Sequence, residues 1–169
     1  MSLISPSKDG TIDLLETGVT FELSYHLVDE KSCDTVLSFM QEYYELDGYR
    51  FDPESAQAAL LGIVRDASLG RAWLIFDGDE AVGYIVLTFG YSLEYGGQDA
   101  TLDEVFISPI HRGKGVGTRV MEFVVGVCRD IGVYALHLEV ERNNAAALAL
   151  YDKAGFDIVD RCLMTKRVS

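Results

Sequence analysis

Cysteine, histidine, proline and tryptophan are all scarce in this chain, at 3, 3, 3 and 1 in 169 residues. Cys33, Cys128 and Cys162 are odd in number, far apart and in no CxxC or Cys/His spacing, which excludes a disulfide framework and reads as reduced thiols. His26, His111 and His137 are equally scattered, so no metal site is expected. Long apolar runs are missing too. The longest, Ala145 to Tyr151, falls far short of the ~20 residues that span a bilayer. The first ten residues carry Lys8 and Asp9 and hold no apolar signal region. These absences point to a soluble, cytoplasmic protein with no membrane partner. Positive charge is the last shortage: 14 Lys and Arg face 27 Asp and Glu, a net charge of −13, which argues against a nucleic acid partner.

The charge is unevenly spread. Up to Ile110 there are 5 basic and 20 acidic residues; from His111 onward there are 9 and 7. The acidic front half suits a cationic substrate and the later half tolerates an anionic cofactor, although a solvated acidic surface that aids solubility accounts equally for the bare counts. The length suits one domain with a core of its own. No repeat, low-complexity tract or linker divides it, so the expectation is a loosely ordered lead-in over residues 1–18 and a single domain over 19–169.

Along the chain, Val19 to Val28 alternates apolar and polar side chains, the period of a half-buried strand. Cys33, Val36, Leu37, Met40, Tyr43 and Tyr44 follow a helical period. Asp52-Pro53 starts a second helix whose buried face is Ala56, Leu60, Ile63, Val64 and Ala67, with Gly70 as its end. Ala72–Phe76 and Ala81–Thr88 flank Asp77-Gly78-Asp79-Glu80 and read as an antiparallel hairpin. After the turn at Tyr95 to Asp99 comes a strand from about Ala100 to Ile107. A helix over Gly115–Ile131 follows, buried along Val116, Val120, Phe123, Val124, Val127 and Ile131. Tyr134–Glu141 reads as a strand, Asn144–Ala154 as a helix closed by Gly155, and Phe156 to about Arg167 as a final extended segment. The sum is an α/β protein with a mixed sheet and helices on both faces.

Between the strand ending at Ile107 and the long helix stands Arg112-Gly113-Lys114-Gly115-Val116-Gly117. Glycines let the main chain approach a ligand closely, and the first turn of a helix offers N–H groups without internal partners, a natural seat for phosphate oxygens. Arg112 and Lys114 add positive charge there. A P-loop is excluded because Gly115, not Ser or Thr, follows Lys114. A dinucleotide fingerprint fails too: Thr118 stands where Gly or Ala is required, and Ser108–His111 lengthens the turn.

Arg112-x-x-Gly115-x-Gly117 resembles the pyrophosphate-binding signature of the GNAT superfamily of N-acetyltransferases. Val140, Asn144, Ala147, Leu150-Tyr151 and Gly155-Phe156 separately resemble that family's V-x-x-x-N-x-x-A-x-x-L-Y-x-x-x-G-F run. The resemblance covers about Ala72 to Phe156 and implies a centrally splayed mixed sheet and acetyl-CoA as cosubstrate. It implies that main-chain groups of Phe106 and Ile107 pair with the pantetheine arm, and that amides from Arg112 through Gly113, Lys114, Gly115, Val116 and Gly117 to Thr118 hold the pyrophosphate. Asn144 would bond the pantetheine region and Tyr151 would lie near the sulfur. By themselves, Asn144 reads as a helix N-cap and Tyr151 as core.

Transfer to an amine requires a base, because an amine with a pKa near ~10 is mostly ammonium at neutral pH, and an acid to protonate the leaving thiolate. Tyr151 suits the acid. Asp103 and Glu104, just before the glycine-rich loop, are the candidate bases; strand alternation lets only one of them reach the centre unless a bulge intervenes. Neither Cys128 nor Cys162 has a nearby histidine, so direct transfer is expected. Tyr43, Tyr44, Tyr91, Glu94 and Tyr95 mix aromatics with a carboxylate and are candidates for binding a cationic small-molecule or peptide amine. A homodimer is left open. The competing reading from another class is a non-catalytic acyl-CoA sensor.

Overall fold

The structure is a computed structural model that describes residues 22–168; the lead-in expected over 1–18 lies outside them, as do Val19 and Phe21 of the first expected strand. The chain divides into two compact units, Met1–Glu139 and Val140–Ser169.

The first unit is a five-stranded sheet with helices on both faces. Its strands are β1 (Leu23–Leu27), β2 (Gly70–Asp77), β3 (Glu80–Ser92), β4 (Gly97–Ile107) and β5 (Ala135–Leu138), lying side by side in chain order. The first four are antiparallel, and β4 with β5 is parallel. Alternation along β2 splits its side chains between two cores. Leu74 packs with Val36 and Met40 of α1 (Cys33–Asp47) and Leu60 of α2 (Pro53–Arg65). Trp73, on the other face, meets Phe123 of α3 (Val116–Asp130), as does Tyr25 of β1, which stacks on the same ring.

Local chemistry explains most boundaries. Asp52 N-caps α2 by accepting from the Ser55 amide, with Pro53 at the first helical position. Gly78 takes a left-handed φ of 59° in the tight β2–β3 turn. The buried stripe of α3 includes Met121 and Cys128 in place of Val127 and Ile131, which are half-buried.

Two expectations need correction. Gly70 does not end α2, which stops at Arg65; it opens β2, where a Cβ would fall 2.2 Å from the Leu87 carbonyl oxygen, so the glycine answers a close approach between strands. Adjacent residues of β4 do not simply alternate. Val86 pairs with Glu104 and Leu87 with Leu102, so Asp103 is one extra residue in β4, a β-bulge.

The sheet is splayed beyond that bulge. Asp99–Leu102 pairs with Ala135–Leu138, but β5 stops there while β4 runs on to Ile107. The strand expected over Tyr134–Glu141 is accordingly shorter. The second unit holds α4 (Ala145–Lys153), N-capped by Asn144 and followed by Gly155 at φ 87°. The segment from Phe156 onward has no assigned strand among its described residues, because an extended segment becomes a strand only with a hydrogen-bonding neighbour.

Candidate active site

The glycine-rich loop is fastened to the end of β4 by Arg112. Its Nε donates to the Ile107 carbonyl oxygen at 2.7 Å, and its guanidinium lies 5.3 Å from the centroid of the Phe106 ring. A 3₁₀ turn, Pro109–His111, brings the chain round to this point. Gly113 and Gly115 then adopt φ values of 72° and 83°, which L side chains rarely take, and a Cβ at either would meet nothing within 4 Å. Backbone conformation, not crowding, therefore demands glycine, and the space before the loop is open. Gly115 is the N-cap of α3 and supplies no side-chain acceptor to its first turn. The Arg119 amide bonds back to the Gly115 carbonyl at 3.3 Å, leaving the amides of Val116, Gly117 and Thr118 at the head of the helix. With Lys114 beside them, these groups fit a pyrophosphate.

The bulge brings Asp103 and Glu104 into one pocket of about 310 Å³ bounded by α1, α2 and the middle of β4. Glu104 is gripped at both oxygens. The Tyr44 hydroxyl of α1 donates to Oε1 at 2.8 Å, and the Tyr84 hydroxyl of β3 donates to Oε2 at 2.8 Å. Burial pushes the Glu104 carboxyl above its ordinary range, the two hydroxyls pull it back, and neighbouring Asp103 pushes it up again. Burial and the Glu104 charge raise both tyrosines, which keeps them protonated donors. Asp103 as a residue is largely open to solvent at the pocket mouth, yet partial burial of its carboxyl raises its pKa as well.

Of the other aromatics singled out in the sequence, Tyr43 packs its ring on Phe106 and Tyr44. Tyr91 pairs with Gln98, and Tyr95 lies against His137, both at the opposite end of β4 from Glu104; Glu94 belongs to the same β3–β4 connection. The structure brings Tyr44, Asp103 and Glu104 together and leaves Tyr91, Glu94 and Tyr95 elsewhere. Sequence reasoning missed Tyr84 and the pocket wall. A tyrosine in the middle of an apolar strand was the available signal, since a fully buried hydroxyl needs a partner. The pocket wall was hidden inside the α2 stripe, where Ala56, Leu60 and Ile63 read as core.

In the second unit, the Asn144 side chain accepts from the Ala147 amide at 3.1 Å, so it is a cap, with its amide nitrogen left for another partner. Tyr151 of α4 sits edge-on to Phe156, and burial raises its phenol above the ordinary value. Among the described residues, no group of three His, Cys, Asp or Glu side chains converges as a metal ligand set, and no helix is long and apolar enough to cross a membrane.

Residues 34–156 match the model of the acetyltransferase (GNAT) family. The [ribosomal protein bS18]-alanine N-acetyltransferase of Escherichia coli strain K12 is 37% identical over 59 residues, which is 35% of this chain and 40% of that enzyme, so the match spans well under half the length of this relative. An integron cassette protein from the mobile metagenome of Cole Harbour salt marsh has a TM-score of 0.77 and 34% identity, over 86% of this chain and 90% of that one. An aminoglycoside N-acetyltransferase in complex with CoA has a TM-score of 0.74 over 91% of this chain and 100% of that one, a likeness of fold alone at 11% identity.

Proposed function

The chain belongs to the acetyltransferase (GNAT) family, and on that premise we propose that it is an N-acetyltransferase moving an acetyl group from acetyl-CoA directly to a primary amine, with Glu104 as general base. The observation that carries the reading is the pair of carboxylates on the β4 bulge, both facing one small pocket, with Glu104 held at each oxygen by a tyrosine hydroxyl. A carboxylate offers about four lone-pair directions, so two remain for an ammonium proton after both hydroxyls have bonded. Burial moves Glu104 toward the pH at which a base is useful, and its two anchors fix where it points. Asp103 draws the ammonium to the pocket mouth.

The amides from Gly113 to Thr118, with Arg112 and Lys114, hold the pyrophosphate, and the β4 edge at Phe106 and Ile107, unpaired by β5, takes the pantetheine arm. Bound acetyl-CoA supplies a thioester whose C–S bond breaks as the amine's C–N bond forms. Glu104 accepts the first proton that the ammonium loses and passes it to solvent, and the second, lost from nitrogen as the amide forms, replaces the one that Tyr151 gives up. Tyr151, assigned by the family pattern, gives the proton that the thiolate gains, and its raised pKa keeps it protonated for that purpose. Thiol release from acetyl-CoA across a panel of amines tests the activity. Tyr151→Phe is expected to lower kcat by up to about 10²–10⁴-fold with little change in acetyl-CoA affinity. Tight acetyl-CoA binding with no turnover on any amine would instead identify a sensor.

Tyr84 has a measurable signature. Its hydroxyl favours ionised Glu104, so Tyr84→Phe raises the carboxyl pKa and moves the acidic limb of kcat/KM to higher pH. A change in rate with the limb unmoved would show that the hydroxyl only packs.

A further inference from the structure

We infer that the acceptor is an apolar monoamine, a small molecule with one primary ammonium seated at Asp103 and Glu104 and an alkyl or arylalkyl body lying against α1 and α2. This deepens the N-acetyltransferase reading and rests on it. The pocket, at about 310 Å³, lies at the small end of the ~300–1,000 Å³ range for ligand sites. That suits one compact molecule and not a linked set of sugar rings. Away from β4 most of its wall is apolar, made by Met40, Ala59, Leu60 and Ile63, with the Phe51 ring beside Tyr44 near the carboxylates and polar groups confined to the end lined by Arg50, Asp52 and Ser55. An ammonium among these carboxylates and aromatic faces is well placed, and its hydrocarbon body covers the rest.

The distribution of charge separates one amine from several. Beyond β4 the lining has a single further carboxylate, Asp52. Its two oxygens already accept from the Ser55 amide and hydroxyl as the cap of α2, and these bonds hold its carboxyl below the ordinary range. Arg50 lines the same end. The Arg50 charge also lowers the Asp52 carboxyl and offsets it, so a second ammonium would meet no net negative charge at that end, while an apolar end meets the methyl and methylene groups of Met40, Ala59, Leu60 and Ile63. A diamine, a polyamine or an aminoglycoside is disfavoured for that reason.

The test is a comparison of kcat/KM on the wild-type protein with acetyl-CoA. Its probes are n-alkylamines of increasing length and 2-phenylethylamine, set against putrescine, spermidine, kanamycin and an alanine-terminated peptide. With each buried methylene contributing ~0.8 kcal/mol, kcat/KM should climb about three- to fourfold per carbon until the pocket is full. The alkylamines and 2-phenylethylamine should exceed every polycation at least tenfold. Ala59→Phe, at an exposed helix position facing the pocket, should raise KM for the preferred amine tenfold or more while leaving the Kd of acetyl-CoA unchanged. Ala58→Phe, exposed on α2 but not lining the pocket, should change neither. A flat dependence on chain length, or preference for spermidine, kanamycin or the peptide, overturns the apolar monoamine and leaves the acetyltransferase standing. Binding of acetyl-CoA with no thiol released from any amine overturns both.

Discussion

Glu104→Gln is expected to lower kcat/KM by about 10²–10⁴-fold at neutral pH, the usual contribution of a positioned proton acceptor. The amide is nearly isosteric and still accepts a hydrogen bond at its oxygen, so the pocket keeps its shape while losing its base. In the wild type, kcat/KM should fall as pH drops through the raised Glu104 pKa, and the variant should lose that limb. Asp103→Asn should act differently. Its charge is one of the influences that raise Glu104, so its removal moves the acidic limb to lower pH, opposite to the shift expected for Tyr84→Phe. It should also change stability in a defined direction. The folded-state pKa of Asp103 is raised, so the group contributes stability below its unfolded pKa that is lost as pH rises through the folded value. Asp103→Asn escapes that loss, so its Tm should exceed the wild type's at neutral pH, with the gap closing in the acid range. Steady-state pH profiles and thermal melts of the three variants check these outcomes. A full-strength Glu104→Gln enzyme would remove the proposed base.

Gly115→Val is expected to abolish the stabilisation that acetyl-CoA confers. A ligand at a hundredfold its Kd adds about 2.7 kcal/mol to the folded state, a rise of roughly 5–10 °C in Tm for a domain of this size. At φ 83° a β-branched residue is strained, so the turn must shift, and its side chain would stand in the open space before the loop. The variant should therefore melt below the wild type without ligand and gain nothing from it. Gly126→Ala serves as the control: this glycine lies within α3, has open space at its Cβ, and gains helix propensity. It should keep the full ligand shift. Calorimetry with acetyl-CoA separates the two effects, since a strained but intact cradle would still bind. Wild-type affinity in Gly115→Val would place the pyrophosphate somewhere other than these amides.

Much of this molecule was legible because it depends on residues close together in the chain. Asp52-Pro53 begins a helix through its own cap, Asp77 to Glu80 reverses the chain through its own φ angles, and Arg112 to Gly117 shapes the proposed pyrophosphate seat through glycine's freedom and the first turn of α3. The parallel pairing of β4 with β5 followed from the helix between them, which carries the chain back to start a second strand in the same direction. What the sequence left open lies in pairings between distant segments. Alternation treats a strand as an isolated ribbon, and under it Asp103 and Glu104 point apart. The register against β3 inserts Asp103 as an extra residue and turns both carboxylates into one pocket. The partners of Glu104 come from positions 60 and 20 residues earlier, and although Tyr84 in an apolar strand marks a hydroxyl in need of a partner, nothing local to either tyrosine names Glu104 as that partner. Gly70 looked like a helix end because a glycine after a periodic run commonly is one; only the approach of Leu87 across the sheet reveals why no side chain fits. Dihedral preference, capping and periodicity are properties of a few consecutive residues, and so the sequence by itself determined most of the elements, their order and the glycine-rich turn into α3. Strand register and hydroxyl-to-carboxylate contacts depend on how those elements meet, and so the tertiary structure alone decided that Asp103 and Glu104 share one pocket and that Tyr44 and Tyr84 hold Glu104.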